Sequence, residues 1–257
     1  ISKNPREMLT LKRGVLPIVA VVGITVLMIL VEPDIGTALF ITFISGIMMV
    51  IGGVRLRQVV PIGVVAVGVT LFAVIQCYPH VQDRLQVFFH PQADPSGKGY
   101  QINQSLIGLG AGGATGVGIG LSRQKLFFLP QQHTDFILAI IGEELGYAGS
   151  LIVLMLFIGL LWYSRRVATT APDVFGSLLA LGIGLAITIQ AMINIGVVCG
   201  ALPTKGISLP FISFGGSGML VSMIGIGIIL NIAAQAEAAQ QPARRISFAH
   251  RPAVARG

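Results

Sequence analysis

The residues able to do chemistry gather in one stretch, 129–146, with the sequence LPQQHTDFILAIIGEELG. It opens polar, with Pro130, Gln131, Gln132, His133, Thr134 and Asp135, and runs straight into a long apolar segment. Glu143 and Glu144 lie about two turns inside that segment, at ~3.6 residues per turn. Carboxylates at and inside an apolar span are expensive, so all three acids are functional-site candidates. Inside a bundle such a group is protonated, paired or used. Lys205 is a second candidate, set among Pro203, Gly206 and Pro210. A cation in that setting either snorkels to a surface or holds an anion such as a pyrophosphate. Glu32 and Asp34 flank Pro33 at a turn, where they are solvated loop acids or a cation-binding pair.

At 100° per residue, Ala139, Gly142, Gly146 and Gly149 fall on nearly the same face as Asp135. Glu143 then sits about 80° from Asp135, and Glu144 is opposite. Two readings of this face stand side by side. One is close helix packing through Gly142-x-x-x-Gly146. The other is a groove for a lipid tail with Asp135 at its head-group end. Asp135 also has a plain reading as the N-cap of the helix, with Thr134 as the alternative cap.

The elements that must position these residues are set by composition. Of 257 residues, 54% are hydrophobic and 11% charged, and the mean hydropathy is +0.84. A soluble domain carries about 25% charge, so the chain reads as integral membrane. Apolar runs cover 14–31, 35–54, 59–77, 136–163, 174–202 and 214–234. Each is long enough to cross a ~30 Å hydrocarbon core. The predicted fold is an all-α polytopic membrane bundle of six transmembrane helices. Its long loop, 78–135, is interleaved with apolar and aromatic residues and is expected to carry short amphipathic or re-entrant helices. Residues 1–235 form the membrane domain, and 236–257 a flexible basic tail.

Twelve of the 17 Lys and Arg residues lie at one set of ends: the N-terminus, Arg55 and Arg57, Arg165 and Arg166, and the tail. The positive-inside rule makes those ends, and both termini, cytoplasmic. The net charge of +7 is thus an orientation signal and not a nucleic-acid patch. Gly108, Gly110 and Gly113 match G-x-G-x-x-G, but no βαβ unit surrounds them. Gly97-Lys98 lacks the other P-loop residues, and His80, His90, His133 and His250 form no H-E-x-x-H pair. Cys77 and Cys199 read as two thiols rather than a disulfide. No metal-ligand set is assigned.

Several motifs together, EPDIGT, DPSGKGYQINQSL, SRQKLFFLPQQHTDF, IIGEELGYAG and LPTKGISLPFISFGGSG, resemble the SEDS family of shape, elongation, division and sporulation proteins. The resemblance runs from about residue 1 to 235 and leans to the division-type FtsW branch over RodA, with the sporulation branch SpoVE close. Two departures are Gln131, where the family often has Glu, and GGSG at 215–218. The family has about ten spans. Together with the start at Ile1, that suggests a fragment lacking N-terminal spans, expected to be inactive alone. The resemblance implies a peptidoglycan glycosyltransferase that polymerises lipid II into β-1,4 glycan strands at the outer face of the bacterial cytoplasmic membrane during division. It implies Asp135 as the catalytic carboxylate. Lys205, His133, Thr134, Arg123, Lys125 and Gln104 are the expected substrate-binding residues. A class B penicillin-binding protein, other division proteins and membrane lipids are the expected partners.

That chemistry needs one base for the acceptor sugar's 4-hydroxyl. The leaving lipid pyrophosphate needs its charge neutralised, by Lys205, Arg123, Lys125 or a divalent cation such as Mg or Mn. Two other classes compete: a lipid II flippase, and a division scaffold without chemistry. A flippase should carry polar groups through the whole membrane depth. Here they crowd at one end of the spans, with Glu143, Glu144, Gln190 and Asn194 as the exceptions.

Overall fold

The computed structural model describes residues 10–32, 34–77, 88, 99–125, 134–204 and 206–249. All regular structure among them is helical: α1 Leu16–Val31, α2 Ile35–Ile51, α3 Leu56–Cys77, α4 Tyr100–Gly112, α5 Ile137–Thr170, α6 Val174–Val198 and α7 Gly216–Ala249. Local chemistry explains the boundaries. Pro17 lies in the first turn of α1, where no N–H is needed. Asp34 caps α2, accepting the Thr37 N–H at 3.0 Å and the Thr37 hydroxyl at 2.6 Å. Gly53, at φ +95°, turns the chain between α2 and α3. Asp173 caps α6 by accepting the Gly176 N–H at 3.0 Å.

Helices α1, α2 and α3 pack as consecutive neighbours around Val15, Met49, Val54 and Val59. A second group joins α4 to α7, and α5 against α6 is its largest interface. Its main core holds Phe136, Leu138, Val153, Phe157, Ile187, Ala191, Val198 and Leu209. A smaller cluster of Val167, Ala168, Ala180, Ile229 and Ile232 closes the far ends of α5, α6 and α7. The two groups meet where α2 touches α6. Outward faces are as apolar as the core, with Met28 70%, Leu156 67% and Leu220 62% exposed. In water such a surface would aggregate; it suits hydrocarbon.

Among the described residues three helices are long and apolar enough to cross a membrane: Ile137–Thr170, Val174–Val198 and Gly216–Ala239. The apolar helices Leu16–Val31, Ile35–Ile51 and Leu56–Gly68 are shorter. The 17 residues of α2, for example, reach about 25 Å at ~1.5 Å per residue. The helical class is therefore as expected, and six full-length spans are not established. Two helices outrun the apolar pattern: α5 ends at Thr170 rather than 163, and α7 continues through 235–249, into the expected tail. The sequence AAQAEAAQQ is made of strong helix formers, so polarity there ends an apolar run and not the helix. Cys199 is a free, exposed thiol.

Candidate active site

α5 is broken at Gly146, whose φ of 69° and ψ of −165° no helix contains. The segment after α4 fills the break. Val117 N–H donates to the Glu143 carbonyl at 3.0 Å and Gly118 N–H to the Glu144 carbonyl at 3.1 Å. In return, Tyr147 N–H reaches the Gly113 carbonyl at 2.9 Å and Ala148 N–H the Ala114 carbonyl at 3.3 Å. The groups freed by the break are thus paired again by a second piece of backbone, as an apolar setting requires. This contact also decides between the two readings of the small-residue stripe. A Cβ on Gly112 would fall on the Gly142 carbonyl, and one on Gly116 on the Glu144 carbonyl. Around Gly142 and Gly146 the stripe is packed against main chain, which is the close-packing reading and leaves no room there for a lipid tail. Gly116 also sits at φ +82°. Gly116→Ala is expected to cost about 2–4 kcal/mol, read as a lower thermal midpoint in detergent. Gly110→Ala, on an open helical face, should be neutral or slightly stabilising.

Glu143 is 3% exposed and is saturated by one short turn. The Ser122 hydroxyl donates to its Oε2, the Arg123 N–H to Oε1 at 3.0 Å and the Gln124 N–H to Oε2 at 3.2 Å. Lys125 N–H closes the turn on Ser122 Oγ at 3.2 Å. The turn is tied to α4 as well, because Gln124 Nε2 donates to Gln104 Oε1 at 3.0 Å. Glu144 pairs with Lys125, Nζ to Oε1 at 3.8 Å. Arg123 and Lys125 otherwise point their side chains outward and are exposed.

Asp135 stands in the turn before α5. The N-cap position belongs to Phe136, whose carbonyl accepts the Ala139 N–H at 2.9 Å, so Asp135 is not the cap. Two side chains, one from α6 and one from the following loop, hold the backbone of this turn, and a third from α6 holds the loop. Asn194, 1% exposed, donates one amide hydrogen to the Asp135 carbonyl at 2.7 Å and the other to the Ile207 carbonyl at 2.8 Å. Ser213 donates to the Thr134 carbonyl and accepts the Leu209 N–H at 2.7 Å. Gln190 Nε2 donates to the Ser208 carbonyl at 3.0 Å. The 206–213 loop is thereby locked beside the turn, and a Cβ on Gly206 would lie 3.6 Å from Asp135 Oδ2. The carboxylate itself stays out of this network. Among the described residues no donor reaches it, and burial pushes its pKa above the ordinary 3.8. Among the described residues the result is a carboxylate with a fixed backbone, raised basicity and free lone pairs.

Of the residues expected to bind substrate, Thr134 lies beside Asp135, and Gln104, Arg123 and Lys125 gather around Glu143 and Glu144. The two groups are about 12 Å apart along α5, at ~1.5 Å per residue. His133 and Lys205 lie outside the described residues, although Gly206 puts the neighbour of Lys205 next to the Asp135 carboxylate. Among the described residues no cluster of three His, Cys, Asp or Glu could hold a metal ion. Asp135 offers one carboxylate and that of Glu143 is taken by protein donors, so these residues do not fit a resident cation. Ser122, Ser213 and the clamping roles of Gln190 and Asn194 go beyond what sequence reasoning found. For Gln190 and Asn194 the signal was a buried amide in an apolar run, which must find partners. The two serines gave none.

Comparison with known proteins covers nearly the whole chain. The FtsW, RodA and SpoVE family model, described as cell cycle protein, matches residues 1–238. A protein of Trichlorobacter lovleyi named probable peptidoglycan glycosyltransferase FtsW is 42% identical over 234 residues, 91% of this chain and 61% of that protein. Stage V sporulation protein E of Bacillus subtilis is 40% identical, covering 90% of this chain and 63% of its own. A Nitrosomonas europaea protein, also named probable peptidoglycan glycosyltransferase FtsW, is 44% identical, covering 86% and 57%. This chain therefore spans about three fifths of the length of these relatives. A solved chain, from work on the structural coordination of polymerization and crosslinking by a peptidoglycan synthase complex, superposes with a TM-score of 0.67 at 25% identity, over 86% of this chain and 61% of that one. With the family model matching 238 of 257 residues, the chain belongs to the FtsW/RodA/SpoVE family of cell cycle proteins.

Proposed function

We propose that this chain carries the reacting centre of a membrane glycosyltransferase that polymerises lipid II into glycan strands during division. The observation that carries the reading is the Asp135 carboxylate, its pKa raised by burial and reached by no donor among the described residues, beside a clamped backbone, in a family with relatives named for this activity. Asp135 takes the proton from the acceptor sugar's 4-hydroxyl, and that oxygen attacks the donor's anomeric carbon. The bond from that carbon to the diphosphate breaks, and lipid diphosphate leaves with the electron pair. Arg123 and Lys125 hold the diphosphate of the bound donor, and Lys205 opposes the charge that develops as it leaves. A divalent cation carried in by the diphosphate is the alternative source, and polymerisation measured across an EDTA titration separates the two. An apolar groove of about 280 Å³, lined by Val153, Phe157, Phe211 and Ile226 among others, lies beneath the loop that flanks Asp135. It suits the polyprenyl tail of a lipid-linked substrate. Polymerisation of purified lipid II by the complete protein tests the reading. Normal folding without glycan strands would return it to a flippase or scaffold. The flippase is disfavoured because, among the described residues, Glu143, Gln190 and Asn194 bond to loops next to the site.

The same reading places the site at the outer membrane face, with six spans and both ends of the chain inside. In α5 the exposed Tyr147 and Trp162 bracket an apolar segment of about 23 Å, at ~1.5 Å per residue, as aromatic belts do. Arg166 stacks on Trp162, 5.9 Å from the ring centroid, at the basic end. The break at Gly146 then marks the outer interface. An impermeant thiol reagent on intact cells should label Thr115→Cys and not Thr169→Cys, both in a Cys77→Ser, Cys199→Ser background. The reverse pattern would invert the topology. A class B penicillin-binding protein is the proposed partner, since the solved relative comes from a synthase complex that couples polymerization to crosslinking.

A further inference from the structure

We infer that Glu143 is a positioning residue whose buried carboxylate clasps the Ser122–Lys125 turn and so presents Arg123 and Lys125 as a cationic pair for the diphosphate of a lipid-linked sugar. The inference rests on the glycosyltransferase reading and assigns a task to an acid that the proton-transfer chemistry leaves unused. Three donors of one turn converge on a single side chain from two helical turns inside α5. Backbone N–H groups arranged in this way form a concavity that accepts an anion. Here a protein carboxylate fills it, so the turn binds no external anion through its backbone. The clasp instead fixes the chain direction at 123 and 125, the two positions whose cationic side chains remain exposed.

The clasp is rigid from both sides. Glu143 belongs to the turn of α5 whose carbonyls receive Val117 and Gly118, so its backbone cannot slide. Gln104 holds the turn from α4. Glu144 limits Lys125 through a long, half-exposed ion pair that contributes little stability and that a diphosphate could displace. A carboxylate beside a cationic pair also lowers the net charge there, which favours release of the product diphosphate over tight retention.

The test is a mutant cycle in the complete protein, read as kcat and KM for lipid II. Glu143→Gln keeps the size of the side chain and loses one acceptor oxygen. It is expected to raise KM about tenfold with kcat within about twofold, because the pair is displaced and the base is untouched. The double variant Arg123→Ala/Lys125→Ala should raise KM at least as far. Adding Glu143→Gln to that double should then change nothing further, since the clasp acts only through the two cations. A further, additive loss in the triple variant would overturn the inference, as would a fall in kcat at unchanged KM. If Glu143→Gln is not monodisperse in detergent, Ser122→Ala takes its place in the same cycle with the same two outcomes. Binding of inorganic pyrophosphate by the wild type and the double variant adds a readout that needs no turnover: equal affinity in both would also overturn it. Failure of the transferase reading itself would show separately, as a folded wild-type protein that forms no glycan strands from lipid II.

Discussion

Asn194→Leu is expected to lower polymerisation by about a hundredfold and stability by about 2–4 kcal/mol. The side chain is fully buried and its two amide hydrogens go to the Asp135 and Ile207 carbonyls. Leu is close in volume and apolar, so cavity formation is a minor term, and the loss comes from two carbonyls left without a donor. The functional part follows from position. With the clamp gone, the turn carrying Asp135 and the loop beginning at Gly206 part company, and an ångström of displacement of a catalytic group alone costs about 10²-fold. Asn194→Asp should be as poor at neutral pH, since it sets a carboxylate against two carbonyl oxygens. Glycan-strand formation and a detergent thermal midpoint, measured on the same samples, check both parts. A hundredfold loss of activity with an unchanged midpoint would mean that Asn194 touches substrate rather than the clamp.

The helices were legible because hydropathy and chain length are local properties. The runs near 14–31, 35–54 and 174–202 reappear as α1, α2 and α6 with ends moved by a few residues. Asp135 stands out in the sequence as a candidate because an acid at the mouth of an apolar run needs a reason to be there. Part of what failed depended on a distant partner. Gly142-x-x-x-Gly146 fits an unbroken helix as well as a broken one. The break at Gly146 is decided by residues 113–118, which supply the missing hydrogen bonds. Asn194 stood out as a buried amide, but its bond to Asp135 crosses 59 positions of chain. Asp34 was read as a loop acid or cation ligand, and its bond to Thr37 makes it a helix cap. The region 235–249 was read from polarity, which reports the end of the apolar run, whereas helix propensity continues.

Asp135→Asn carries the largest expected effect on activity. Asn keeps the size of the side chain, and the clamp acts on the main chain, so the local structure should survive. Polymerisation should fall by about 10²–10⁴-fold, the range for loss of a general base. Stability should move the other way. Burial raises the Asp135 pKa, so the folded state holds the proton more tightly than the unfolded one. Such a group stabilises the fold below its unfolded pKa, and that contribution is lost as pH rises through the folded value. At neutral pH the charged carboxylate therefore costs stability, and Asp135→Asn removes the cost. Its thermal midpoint should equal or exceed that of the wild type at pH 7, with the difference vanishing in acid. Asp135→Glu should also be poor, since the added methylene shifts the carboxylate by about an ångström.

The most direct measurement is the rate of glycan-strand formation from purified lipid II across pH, for the complete wild-type protein and for Asp135→Asn. The expected wild-type profile falls on the acid side through a single ionisation above 3.8, the ordinary aspartate value, because only the deprotonated carboxylate accepts the sugar's proton. The Asn profile should be lower by the factor given above and should lack that acid limb. An Asn variant with wild-type rates, or one that keeps the same acid limb, would contradict the assignment of Asp135 as the base.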